Sequence, residues 1–290
     1  MKIIQWLKLP EVRSIEDFDD PAVTILHGEI IRRKGFLKKL YADFYREFLK
    51  AVPDPQGKVL VELGSGGGFI KEVIGNVITS DILELPNVDK VFSAVEMPFE
   101  CDSVDAFFMI DVLHHISDPR AFFGEAVRCL KAGGKVVMIE PANTPWSRFI
   151  YKNFHHEAFD TGSGWELGEG GPLRRSEPSP PWGRLPPSNV RESRDNSVWQ
   201  GGLVSHGNGA LPWIIFRRDR KAFEEEFPSL RIVRMRNHTA LRYLLSGGLT
   251  LRQLVPSFTY PAVKAIEYAL TPLRDMLGMF QTIEIEKTEG

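Results

Sequence analysis

Lys58-Val-Leu-Val-Glu-Leu-Gly-Ser-Gly-Gly-Gly-Phe69 is the stretch that decides the fold. Apolar, largely β-branched residues flank Glu62, so its first half reads as a buried strand. Gly64, Gly66 and Gly68 then recur at alternate positions, and residues 69–75 read as a helix. A strand feeding a glycine-rich turn and a helix start is a cradle for a nucleotide-type cofactor. Missing side chains let the backbone approach the ligand, and the free amides of the helix start face it. The spacing discriminates between cofactors. A dinucleotide fingerprint G-x-G-x-x-G requires glycine at 69, where Phe69 stands, whereas acid-x-G-x-G-x-G is complete.

Working outward, residues 29–52 carry apolar side chains at three-to-four spacing with basic residues between, an amphipathic helix broken near Gly35. Pro53-Asp-Pro-Gln-Gly57 is a loop. Beyond the glycines we expect strands at 77–80, 91–94, 105–110 and 135–140, with helices at 118–131 and about 144–154. Alternating strands and helices with apolar strands imply a parallel sheet covered on both faces. Between 161 and 210 the character changes. Arg174-Arg-Ser-Glu-Pro-Ser-Pro-Pro-Trp-Gly-Arg-Leu-Pro-Pro-Ser188 has no period and cannot offset its own ordering entropy. It reads as a disordered insertion, and deletion of about 174–207 is expected to leave folding and cofactor binding intact. Regular signals resume with a helix at 219–226, a strand at 230–237 and an alternating strand at 279–287, an antiparallel pair at the sheet edge. The chain thus divides into an N-terminal helical segment (1–57), a cofactor-binding core (58–160), the insertion (161–210) and a completing segment (211–290). That last segment carries a helical cap at about 240–278.

A formal net charge of -2 and 43% hydrophobic residues give no basic domain for nucleic acid. Two cysteines, Cys101 and Cys129, make no disulfide framework and fit a reducing compartment. No apolar window approaches a membrane span. A cytoplasmic protein is expected, with peripheral membrane contact left open by the apolar and basic mixture of the cap.

The later motifs sharpen the reading. Asp81 follows Glu62 by 19 positions at the end of Asn76-Val-Ile-Thr-Ser-Asp81, where a carboxylate can accept both ribose hydroxyls of an adenosine. Ala94-Val-Glu-Met-Pro-Phe99, Asp102-Ser-Val-Asp-Ala-Phe-Phe-Met-Ile-Asp-Val-Leu-His-His-Ile116 and Leu130-Lys-Ala-Gly-Gly134 follow in order. Together with the glycine loop, this series over 58–141 resembles the type 11 branch of the class I S-adenosylmethionine (SAM) methyltransferases. The resemblance implies a doubly wound α/β fold with a mostly parallel seven-stranded sheet and an antiparallel C-terminal hairpin, and SAM as cofactor. It implies that Glu62, Gly64, Ser65, Gly66 and Gly68 hold the methionyl and ribose portion and that Asp81 takes the ribose. Ala94 and Val95 would flank the adenine, with Ser93 where the family usually has an acid. Ile110, Asp111 and Val112 would line the sulfonium.

Because SAM carries an activated methyl group, the protein's task is positioning and electrostatics. A hydroxyl acceptor also needs a base. His114 and His115, just past the cofactor-binding strand, are the candidate catalytic pair. His155, His156 and Glu157 are candidates for an acceptor pocket, and Glu140-Pro141 for the rim of the cleft. No cysteine or third spaced histidine supports a defined metal geometry, so no metal is expected. The acceptor is expected to be a small or lipid-linked molecule, since no base-methylation tetrapeptide follows the fourth strand. Two rivals are a non-catalytic partner subunit of the same fold and a nicotinamide-dependent oxidoreductase. The oligomeric state is not legible.

Overall fold

The structure, a computed structural model, describes residues 6–13, 15, 20–154, 157–168, 171–174 and 207–289. Its centre is a seven-stranded sheet. The strands are β1 (Leu60–Glu62), β2 (Val77–Asp81), β3 (Lys90–Val91), β4 (Val104–Ile110) and β5 (Leu130–Pro141), then β8 (Leu230–His238) and β9 (Phe280–Lys287), in spatial order β3-β2-β1-β4-β5-β9-β8. β1 to β5 pair in parallel, and β9 runs antiparallel between β5 and β8, with Val137 opposite Glu284 and Met138 opposite Ile283. This is the doubly wound, mostly parallel sheet with a terminal antiparallel hairpin expected from the sequence.

β4 shows how the sequence builds two cores. Its side chains alternate, so Phe107 and Met109 enter one cluster and Ala106 and Phe108 the other. The first cluster gathers α3 (Pro119–Cys129), the helical turns at 211–218 and α4 (Arg220–Glu226), with Phe123, Phe216 and Phe223 in mutual edge contacts. The second is roofed by α2 (Gly35–Ala51), whose Phe48 stacks on Phe108 at 4.7 Å. The expected break near Gly35 is real: α1 (Pro21–Arg33), capped by the Asp20 carboxylate, stops at Lys34, and α2 starts anew. At this corner the buried Lys34 ammonium donates to the carbonyls of Gly248 and Leu251, tying the helical cap to the N-terminal helices. A second tie is a buried network in which Arg242 and Tyr260 both donate to the Asp43 carboxylate of α2, at 2.7 and 2.6 Å.

Three expectations need correction. Residues 69–75 form one 3-10 turn, Ile70–Glu72, and no helix. Eight residues separate Gly68 from β2, three of them are β-branched (Ile70, Val73, Ile74), and Gly75 closes the stretch, so no helix nucleus can propagate. The third strand is Lys90–Val91 alone, because Phe92 to Val95 turn away to line a cavity at the strand ends. The expected insertion begins with a two-stranded antiparallel ribbon, β6 (Ser163–Gly168) and β7 (Gly171–Arg174). The proline-rich stretch 175–206 lies outside the described residues.

Candidate functional site

A cavity of about 430 Å³ opens at the carboxyl ends of β1, β2 and β4. The strand order reverses between β1 and β4, the place where open α/β sheets leave a crevice. Its floor is the glycine loop. Gly64 sits at φ +61°, and a Cβ there would come within 2.6 Å of Val112 Cγ2. At Gly67 a Cβ would meet the Gly28 Cα at 2.3 Å, so α1 packs backbone to backbone on the loop. Arg32 of α1 donates to the carbonyls of Gly67 and Gly68 at 3.3 and 3.1 Å.

The loop holds one carboxylate rigidly. Asp81 Oδ2 accepts from the Gly66 amide at 2.8 Å and Oδ1 from Leu83 at 3.0 Å. A carboxylate oxygen has two lone-pair sites, so each keeps acceptor capacity for a ligand. At the end of β1, burial pushes the Glu62 carboxyl up to about 8, and Asp81 nearby adds to the rise. At the end of β4, burial pushes Asp111 up to about 8 as well, with Glu140 and Glu157 adding and His114 opposing. Asp111 is a non-glycine residue at φ +56°, backbone strain of the kind that gathers at functional sites. Glu62 Oε2 and Asp111 Oδ1 are buried without a hydrogen-bond partner among the described residues. Such groups are costly unless a ligand's ammonium or hydroxyl satisfies them. The chemistry of the donor set thus fits a cofactor with an amino group, a ribose and a backbone-tolerant tail.

Farther along the cavity, Glu140 at the end of β5 organises the turn Leu113–His115. Its Oε1 accepts from the amides of Val112 (2.9 Å) and Leu113 (2.7 Å), and its Oε2 lies 2.7 Å from His114 Nδ1. His114 Nε2 lies 3.3 Å from Glu157 Oε2, and His115 Nε2 lies 3.8 Å from Glu157 Oε1. Burial alone would lower the His114 pKa, but Glu140 and Glu157 on its two sides raise it well above the ordinary value. The turn is held from behind by Asn208, whose amide donates to the His114 carbonyl at 2.9 Å. The Asn208 side chain bridges Asp160, Ser163 and Ala210.

The described residues of the candidate cofactor, catalytic and acceptor sets line this one cavity: Glu62, the loop 64–68, Asp81, Ser93 to Val95, Ile110 to Val112, His114, His115 and Glu157; of the rim pair, Pro141 lines it too, while Glu140 lies behind the lining and holds His114. His155 and His156 lie outside the described residues. The helical cap expected at about 240–278 supplies the roof through Tyr243 and Leu249, whereas sequence reasoning missed the α1 wall (Thr24, His27, Ile31) and the parts played by Gly28, Glu140 and Asn208. For Gly28 a signal existed, a glycine inside an amphipathic helix; for Asn208 there was none.

The family model described as Methyltransferase domain, Methyltransf_11, matches residues 61–138. The Ubiquinone biosynthesis O-methyltransferase of Xanthomonas axonopodis pv. citri (strain 306) is 23% identical over 118 residues, which are 34% of this chain and 49% of that protein. The chain therefore spans about half the length of the curated relative it matches. Among solved structures, a SAM dependent methyltransferase from Archaeoglobus fulgidus aligns with 86% of this chain and 94% of its own, at 14% identity and a TM-score of 0.45. The geranyl diphosphate C-methyltransferase of Streptomyces coelicolor A3(2), solved with Mg2+, geranyl diphosphate and S-adenosyl-L-homocysteine, aligns over 87% and 81% at 17% identity and a TM-score of 0.41. The glycine loop, Asp81, Asp111 and the turn at His114 and His115 thus all fall within the segment, residues 61–138, that matches the methyltransferase domain of type 11.

Proposed function

We propose that the whole chain transfers a methyl group from SAM to a small or lipid-linked acceptor. The observation that carries this reading is the pair of partnerless buried carboxylate oxygens, on Glu62 and Asp111, in one cavity with Asp81. Glu62 and the amides of residues 64–68 bind the methionyl portion, and Asp81 the ribose hydroxyls. Ser93, Ala94 and Val95 flank the adenine, while Ile110, Asp111 and Val112 surround the sulfonium end. SAM brings the activated methyl group, so the chain has only to orient the acceptor and exclude water. His114 and His115 stand on the acceptor side, where the His115–Glu157 pair can receive the proton a hydroxyl acceptor loses.

The far cavity wall is apolar, with Ile150, Phe159 and Leu249, and Phe154 both lines it and is 58% exposed. An apolar mouth of this kind favours an acceptor with a hydrocarbon part, presented from solution or from a lipid surface. Among the described residues no helix is long and apolar enough to cross a membrane. A nicotinamide dinucleotide is disfavoured by the single 3-10 turn after the glycines, since a pyrophosphate depends on a full helix N-terminus there. The test is calorimetric titration with SAM, S-adenosylhomocysteine and NAD, alongside Asp81→Ala. Binding of the first two, weakened by the substitution and absent for NAD, is expected. NAD binding alone would move the protein to the oxidoreductases, and no binding by folded protein would favour a partner subunit.

A further inference from the structure

We propose that His114, His115 and Glu157 form a binding site for one divalent first-row transition-metal ion at the acceptor end of the cavity. Their ligating atoms all lie within 4.8 Å of one another. His114 Nε2 to Glu157 Oε2 is 3.3 Å, and His115 Nε2 to Glu157 Oε1 is 3.8 Å. Ligand atoms bonded at about 2.0–2.1 Å to a tetrahedral centre stand roughly 3.4 Å apart, which the first pair matches and which the second reaches by a small side-chain adjustment.

The surroundings are those of a metal site and exceed what an ion pair requires. His114 Nδ1 is engaged by Glu140 Oε2 at 2.7 Å, which leaves Nε2 as the ligating nitrogen. Metal-bound histidines characteristically carry such an outer carboxylate on the second ring nitrogen. Glu140 is completely buried and is itself fixed by the amides of Val112 and Leu113. Asn208 pins the same turn from the opposite side. The two imidazoles lie side by side, centroids 4.1 Å apart, and both direct Nε2 to one carboxylate. Little water reaches the cluster: the three side chains are 3%, 18% and 13% exposed. Two nitrogen donors and one carboxylate suit zinc, cobalt, iron(II) or nickel, and disfavour magnesium and calcium, which take oxygen shells. All three residues line the cavity, and the chemistry an ion would supply there is polarisation of an acceptor oxygen. Spacing along the chain hid this set, because its carboxylate comes from beyond β5.

The site rests on the acceptor-end reading above, and an ion bound there would take over the role of the His115–Glu157 pair toward the acceptor oxygen, so its test reads metal directly and apart from methyl transfer. Full-length protein stripped with a chelator is titrated with Co(II), following the visible d–d bands, and then with Zn(II) in competition. One equivalent of Co(II) with an intense low-symmetry spectrum is expected. Glu157→Gln and His114→Ala should each weaken binding at least tenfold, and Glu140→Gln by about 10- to 100-fold through the outer carboxylate. A His155→Ala/His156→Ala double variant should keep the stoichiometry and the spectrum. S-adenosylhomocysteine binding by each variant reports folding independently. Absence of a stoichiometric band from folded protein, or a band that survives Glu157→Gln and disappears in the double variant, would overturn the proposal and leave an ordinary buried ion pair.

Discussion

The two ends of the cavity are made in different ways. The proposed cofactor end is drawn from residues 62–112 and rests on backbone: amides of the glycine loop, a carboxylate clamped by those amides, and glycines whose side-chain positions are already filled by Val112, Tyr45 and Gly28. The proposed acceptor end is assembled from side chains far apart in the chain, at 114–115, 140, 157 and 208, with a roof from 243–251. A site built on backbone must forbid side chains, and that prohibition is written as glycine spacing. A site built on side chains demands only residue types, which any stretch can contain.

The difference predicts that each end can be broken separately. The largest effect is expected at Gly67→Val, where the new side chain meets the Gly28 backbone at 2.3 Å and neither side can yield. We expect about 3 kcal/mol of lost stability and no cofactor binding, read by chemical denaturation and calorimetry. A variant that still bound S-adenosylhomocysteine with native affinity would show that α1 is not part of the cradle. Next comes Asn208→Ala, which strips a fully buried hub of four side-chain hydrogen bonds. It should cost about 2–3 kcal/mol yet leave cofactor affinity within a few-fold, damaging the acceptor end alone. Asp81→Ala is the converse: about a 10- to 100-fold loss of S-adenosylhomocysteine affinity with a smaller change in stability.

The fourth prediction concerns pH. In the unfolded chain Glu62 titrates near 4.5, and in the fold burial raises it to about 8. Between these values the folded state binds the extra proton, so its contribution is fully present below about 4.5 and is lost as pH rises toward 8. Denaturation midpoints of the cofactor-free protein should fall across that window, and Glu62→Gln should flatten the slope. An unchanged slope would mean that Glu62 stays hydrated. The smallest effect is expected far from either end. Lys221 and Glu225 pair across a mostly exposed helix face, and Lys221→Ala should shift stability by less than about 0.5 kcal/mol.

Much of the cofactor end was legible because its constraints are local. Phe69 alone separated two glycine fingerprints, and Asp81 could be placed by its distance from Glu62. The glycine pattern marks where the turn ends but not how much chain precedes β2, and the eight residues there form one turn in place of the helix expected at 69–75. Glu140 was visible as a residue of the rim, but its grip on His114 depends on β5 lying beside β4, a tertiary fact. Asn208 offered no signal, since one asparagine beyond a proline-rich stretch looks like any loop residue.

The contact between Gly28 and Gly67 bears on time as well as shape. Thr24, His27 and Ile31 of α1 line the cavity, while Arg32 grips the loop carbonyls from the same helix. In the proposed function α1 is one wall of the cofactor's cradle, although it belongs to no part of the sheet. We expect exchange of spent for fresh cofactor to be coupled to movement of α1, which would tie the pace of the proposed reaction to the N-terminal segment. Amide hydrogens of residues 21–33 are expected to exchange in step with cofactor departure, and to slow together when the demethylated product occupies the site.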